Sequence, residues 1–108
     1  MKTITEADFG VEVEKALGPV VVCFMSAGCK PCRIMKPDLE ALEAEYGGRP
    51  AVVVIDVAES REAAARFSVV STPTIIMFSG GKPVMRMVGY ATRHDLKSKI
   101  DESLKNID

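Results

Sequence analysis

All three cysteines of the chain fall within Cys23-Phe-Met-Ser-Ala-Gly-Cys29-Lys-Pro-Cys32. Three chemistries are open to such a cluster: a metal site, a redox pair with a bystander, or burial of small apolar side chains. Placement favours the second. A Cys-x-x-Cys that follows an apolar strand and opens a helix puts Cys29 at the helix N-terminus, where unpaired backbone N–H groups and the positive dipole end favour a thiolate. The ammonium of neighbouring Lys30 adds to this effect. Pro31 suits the start of a helix, because its φ is preset and it has no donor to lose. The first helical turn brings Cys32 within disulfide reach of Cys29. Cys29 is therefore the expected nucleophile and Cys32 the expected resolving thiol, with Lys30 and Pro31 tuning the pair.

The metal reading lacks ligands. Structural zinc takes four, and beyond the pair the chain offers only Cys23, inside an apolar run, and the single His94. A metal or iron–sulfur site would have to combine the Cys-x-x-Cys of two chains. No metal or cofactor is expected.

The elements that must hold these thiols are legible from punctuation and period. Lys2 to Ile4 reads as a short strand, and Thr5-Glu-Ala-Asp8 as a capping-box variant opening a helix that stops by Gly18-Pro19. Val20 to Met25 is a continuous β-branched run, the pattern of a central parallel strand buried on both faces. From Pro31 to Tyr46, residues Ile34, Met35, Leu39, Leu42 and Tyr46 follow helical spacing, Pro37 is expected to kink the helix, and Gly47-Gly48 stops it. Ala51 to Val57 is a second central strand, and Glu59 to Phe67 a short helix. Thr74 to Phe78 and Val84 to Val88 flank a Ser79-Gly-Gly-Lys82 hairpin turn, with Pro83 marking an edge strand. Thr92-Arg-His-Asp95 caps a closing amphipathic helix carrying Leu96, Ile100 and Leu104. The order β-α-β-α-β-α-β-β-α predicts an α/β fold, a mixed sheet covered by helices.

At 108 residues, 47% hydrophobic and 27% charged, the chain is expected to form a single domain over residues 1–108 with its own core. A formal charge of -1, with basic residues spread along the chain, gives no footprint for nucleic acid or anionic membrane. No stretch approaches the roughly 20 apolar residues of a membrane span, and the N-terminal residues lack a secretory signal's apolar run. The reading is a soluble, cytoplasmic, monomeric protein. In a reducing compartment, clustered cysteines argue for catalysis or metal binding over structural disulfides.

From Ile4 to about Leu104 the chain resembles the thioredoxin family. The Cys29-Lys-Pro-Cys32 motif is joined by a second signature, Ser71-Thr72-Pro73-Thr74 opening a strand, then Gly80-Gly81 in the hairpin and Gly89 after it. The resemblance implies a central five-stranded mixed sheet flanked by four helices. It also implies a cis Pro73 facing the Cys-x-x-Cys, and a kinking proline at Pro37. Residues Ala27, Gly28, Thr72, Pro73, Val88, Gly89 and Tyr90 would then form an apolar rim that touches substrate. Gly28 and Gly89 have the alternative of meeting only backbone constraints, and Tyr90 that of a plain surface aromatic. The implied activity is thiol:disulfide oxidoreduction. Disulfide-containing client proteins would be the substrates and a flavin-dependent thioredoxin reductase the electron donor. A binding module that uses the Pro73 groove without turnover is the alternative.

The departures from the family pattern bear on the proton. The chain has no tryptophan: Gly28 stands where one usually precedes the motif, and Met25 where a second one lies. Cys23 replaces the buried aspartate beneath the resolving cysteine, and Val54 replaces the lysine paired with it. Removing both halves avoids stranding one buried charge. A thiol with an ordinary pKa near 8.5 is a poor proton acceptor beside a carboxylate. Deprotonation of Cys32 by water or by the leaving substrate thiolate is expected instead. Cys23 itself reads as a small buried hydrophobe, with a redox role as the alternative.

Overall fold

A computed structural model describes residues 1–107. The elements are β1 (Lys2–Ile4), α1 (Glu6–Phe9) running into a π-helical turn (Gly10–Glu14), β2 (Val20–Met25), α2 (Lys30–Tyr46), β3 (Ala51–Asp56), α3 (Arg61–Arg66), β4 (Thr74–Ser79), β5 (Lys82–Val88) and α4 (Arg93–Ile107). The sheet order is β1-β3-β2-β4-β5. Strands β1, β3 and β2 are parallel, and β4 and β5 each run antiparallel to the preceding neighbour in that order. This is the mixed five-stranded sheet with four helices that the element order predicts.

The continuous apolar runs are central because each face of β2 meets its own core. Val21, Cys23 and Met25 pack in one cluster with Met35, Leu39 and Leu42 of α2 and Leu96 and Ile100 of α4. Val20, Val22 and Phe24 pack in the other, with Phe9, Val13, Ala63 and Phe78. Strand alternation thus divides one hydrophobic run between two layers. Met35, Leu39, Leu42, Leu96 and Ile100 are fully buried, each contributing about 1.5–3 kcal/mol by removal from water. Helix α2 runs on through Pro37, which is exposed. Ile34 is 51% exposed, because the buried stripe of α2 runs Met35, Leu39, Leu42 and leaves it one position off.

Two helices are shorter than their sequence pattern. The Thr5 N–H donates to Asp8 Oδ2 at 3.0 Å and starts α1 as expected, but the α-helix ends at Phe9. The chain then widens into a π turn, in which the Lys15 N–H reaches Gly10 O at 2.9 Å. Phe9 and Val13 both stay buried through this turn. Helix α3 begins at Arg61 and not Glu59, because Asp56 Oδ1 holds the N–H groups of Ala58 at 2.8 Å and Glu59 at 3.3 Å in a turn. In the β4–β5 hairpin, a Cβ on Gly81 would lie 3.3 Å from the backbone oxygen of Glu14 at a φ of +81°. The hairpin tip packs on the π turn only without a side chain there. Strand β5 is the sheet edge and carries Pro83, as the proline requires.

Candidate active site

The end of β2 and the start of α2 aim the cysteine pair. After Met25 the chain turns through Ser26, Ala27 and Gly28, the last at a φ of +77° that favours glycine. Cys29 is the N-cap of α2, with extended backbone, and its sulfur accepts the Cys32 N–H at 3.2 Å. A cysteine here fills the place that Ser or Asp usually takes, and a thiolate at this position meets an unpaired N–H and the dipole's positive end. Cys29 and Cys32 form a disulfide with Cα atoms 5.3 Å apart. The two sulfurs differ in access. Cys29 is half-buried beside exposed Lys30 and half-buried Pro31, whereas Cys32 is only 3% exposed. An incoming molecule therefore meets Cys29 first.

Register brings the second signature to the same end of the sheet. Phe24 pairs with Thr74, and Thr74 with Val88, so the end of β2, the start of β4 and the end of β5 lie together. The Thr72–Pro73 peptide bond is cis. Ser26 Oγ and Thr72 Oγ1 are 2.8 Å apart, linking the loop before Cys29 to the residue before Pro73. The Gly89 N–H donates to Pro73 O at 2.8 Å. Ala27, Gly28, Thr72, Pro73 and Gly89 are thus assembled around one mouth. Val88, 61% exposed, and Tyr90, 56% exposed, stand free on its β5 side. Gly89 has a φ of +87°, so backbone conformation alone explains glycine there, as it does at Gly28.

Beneath the disulfide the site is apolar. Cys23 is fully buried and pairs in register with Val54 on β3 and Ile75 on β4. Loss of water, with a smaller push from the Glu43 charge, drives its thiol pKa up to about 12. Cys23 therefore stays protonated at neutral pH. Beside Cys32 a cavity of about 240 Å³ opens, lined by Cys32, Val54, Arg33, Lys36 and Asp56 among others.

Ser26, Arg33, Lys36 and Asp56 are absent from the site expected from sequence. Period carried a signal for two of them. Asp56 follows Val54 by two residues on β3 and shares its face, and Lys36 follows Cys32 by four on α2. The Ser26 to Thr72 link joins residues 46 apart and has no local signature.

Among the described residues no group of three or more His, Cys, Asp or Glu side chains is placed to hold a metal ion. No described helix is long and apolar enough to cross a membrane.

The thioredoxin family model matches residues 1–102. The chain belongs to the thioredoxin family. Thioredoxins of several Staphylococcus aureus strains are 38% identical to it over 101 residues, covering 94% of this chain and 95% of theirs. With the Cys29–Cys32 pair in place, the protein is a thiol:disulfide oxidoreductase on the thioredoxin fold. Members of this family reduce disulfides in client proteins and are themselves reduced by thioredoxin reductase.

Proposed function

We propose that residues 1–108 act as one monomeric domain that reduces protein disulfides in the cytoplasm, with Cys29 as nucleophile and Cys32 as resolving thiol. The observation that carries this reading is the unequal setting of the two sulfurs. Cys29 caps α2 and accepts the Cys32 N–H at 3.2 Å, while Cys32 is nearly closed off. The Cys29 thiolate attacks one sulfur of a substrate disulfide, the other substrate sulfur leaves as thiolate, and a mixed disulfide forms. Cys32 then attacks Cys29 Sγ, releasing the second substrate thiol and leaving Cys29–Cys32 oxidised. The positive charge of Lys30 favours the first thiolate. No cofactor is required for either step.

The rim formed by Ala27, Gly28, Thr72, Pro73, Val88, Gly89 and Tyr90 receives an extended client segment, with apolar contacts from Val88 and Tyr90. A flavin-dependent thioredoxin reductase restores the dithiol. With no tryptophan in the chain, that docking surface relies on Val88 and Tyr90 for its apolar contacts.

A redox titration of the Cys29–Cys32 couple against dithiol buffers, with free thiols counted in each state, tests this reading. One free thiol in the oxidised form and three in the reduced form are expected, since Cys23 takes no part. Three free thiols in the oxidised form would refute it. Cys32→Ser should trap mixed disulfides with client proteins, and Cys29→Ser should trap none. Equal client capture by the parent and by a variant carrying both changes would favour the non-catalytic binding module.

A further inference from the structure

The resolving step needs a thiolate on a sulfur that is nearly closed off from bulk water, Cys32 being 3% exposed. The groups beneath it do not take a proton. Cys23 holds its own up to about pH 12, and Val54 has nothing to titrate. The open side is the cavity of about 240 Å³, which Cys32 shares with Arg33, Lys36 and Asp56. At about 30 Å³ per molecule, a space of this size has room for several waters, with the charged Arg33, Lys36 and Asp56 side chains on its otherwise largely apolar wall to hold them. Asp56 is the one carboxylate on its wall among the described residues. Its side chain is held in place, because Oδ1 accepts the N–H groups of Ala58 and Glu59 at 2.8 and 3.3 Å, and neither bond uses Oδ2. Arg33 and Lys36 face the same space from α2, while β1, β2 and the loop after β2 contribute only Thr3, Met25, Ser26 and Ala27, none of which titrates near neutral pH.

We propose that Asp56 is the proton acceptor of the resolving step, reached from Cys32 through water in this cavity. As Cys32 attacks Cys29 Sγ of the mixed disulfide, its proton passes through water to the Asp56 carboxylate. The Cys29–Cys32 bond forms, and the electron pair of the Cys29–substrate bond departs on the substrate sulfur. The substrate disulfide is the oxidant throughout, and Asp56 afterwards returns its proton to solvent. Arg33 and Lys36 set positive charge beside the developing thiolate. A carboxylate is a far stronger base than water, so its presence on the wall opens a faster exit than water alone.

This proposal rests on the disulfide-exchange reading, and one experiment separates the two. Reduced protein mixed with dithiobis(nitrobenzoate) in a stopped-flow instrument releases coloured thiolate twice, first as Cys29 attacks and then as Cys32 resolves. Asp56→Asn keeps an Oδ1 acceptor for the Ala58 turn. It should leave the first release and the melting temperature unchanged. The second release should slow by about tenfold or more at pH 7, less than the roughly hundredfold minimum of a base in direct contact because water relays the proton. The residual rate should climb with pH and recover when imidazole buffer is raised. A second release unchanged in rate and pH profile, or both releases slowed alike, overturns the proposal. No second release from the parent protein overturns the disulfide-exchange reading and this proposal with it.

Discussion

Replacing Cys23 by Asp puts a carboxylate where burial is complete, and the cost can be worked out. Position 23 is fully buried, with Val54 and Ile75 as its register partners, and the same surroundings push the native thiol up to about 12. An aspartate there has its charged form penalised, so its folded pKa rises above the unfolded value near 3.9. A group raised in this way contributes its stability fully below the unfolded pKa, and loses it as pH climbs toward the folded pKa. Each pH unit in that window is worth about 1.4 kcal/mol. Between pH 4 and pH 7 the variant should lose about 4 kcal/mol relative to the parent, on top of a pH-independent ~1–3 kcal/mol for burying the neutral acid. Against a total stability of about 5–15 kcal/mol for a small domain, that leaves the variant folded at pH 4 and close to unfolding at pH 7. Adding Val54→Lys should recover about 3 kcal/mol or more at pH 7, because breaking such a pair costs that much and Val54 lines a cavity that admits the ammonium. Urea melts of the parent, single and double variants at each pH unit from 4 to 7 measure this. A destabilisation that stays flat with pH, or a double variant no more stable than the single, would refute the view that Cys23 and Val54 replace one charged pair.

The native Cys23 thiol predicts an alkaline limit of its own. Its folded pKa is raised, so stability is fully present below the unfolded value near 9 and is lost by about 1.4 kcal/mol per unit as pH rises toward 12. Urea melts from pH 8 to 11 should show this slope in the parent and a shallower one in Cys23→Val. Lys30→Glu reverses the charge beside the α2 N-terminus and should slow the first thiolate release by up to about fivefold, an effect of roughly 1 kcal/mol, with the slowing reduced at high salt. Tyr46 ties α2 to α4 by donating to Asp101 Oδ1 at 2.5 Å. Tyr46→Phe should cost about 1.5–3 kcal/mol in a urea melt and leave the redox titration unchanged.

Most of the fold can be read from the sequence, because its strongest signals come from burial. β2 and β3 stand out because both of their faces are covered, so no polar residue interrupts either run before Asp56. The misreadings lie where a side chain overrides the pattern. Asp56 captures the N–H groups of Ala58 and Glu59, so α3 starts late although the residues before it favour a helix. The first helix passes into a π turn whose end packs against the hairpin tip at Gly81, a contact far along the chain that no local pattern announces. Ile34 sits beside the buried stripe of α2, and only the direction in which α2 meets the sheet decides which of Ile34 and Met35 goes inside.

In the site, the reactive pair is written locally and the proton path is not. Three residues apart at a helix start, Cys29 and Cys32 need no long-range information to be found. The exit for the Cys32 proton is composed of α2 and β3 side chains that meet only after folding. The same local reading does show that the interior route is closed, since Cys23 and Val54 supply neither charge nor base. Closing the interior has a directional consequence. A buried carboxylate shields proton transfer from the medium, whereas a cavity open at the protein surface exposes it. Resolution through this cavity should therefore respond to small buffer bases when Asp56 is removed, while the first attack at Cys29, whose sulfur accepts the Cys32 N–H at the start of α2, should not.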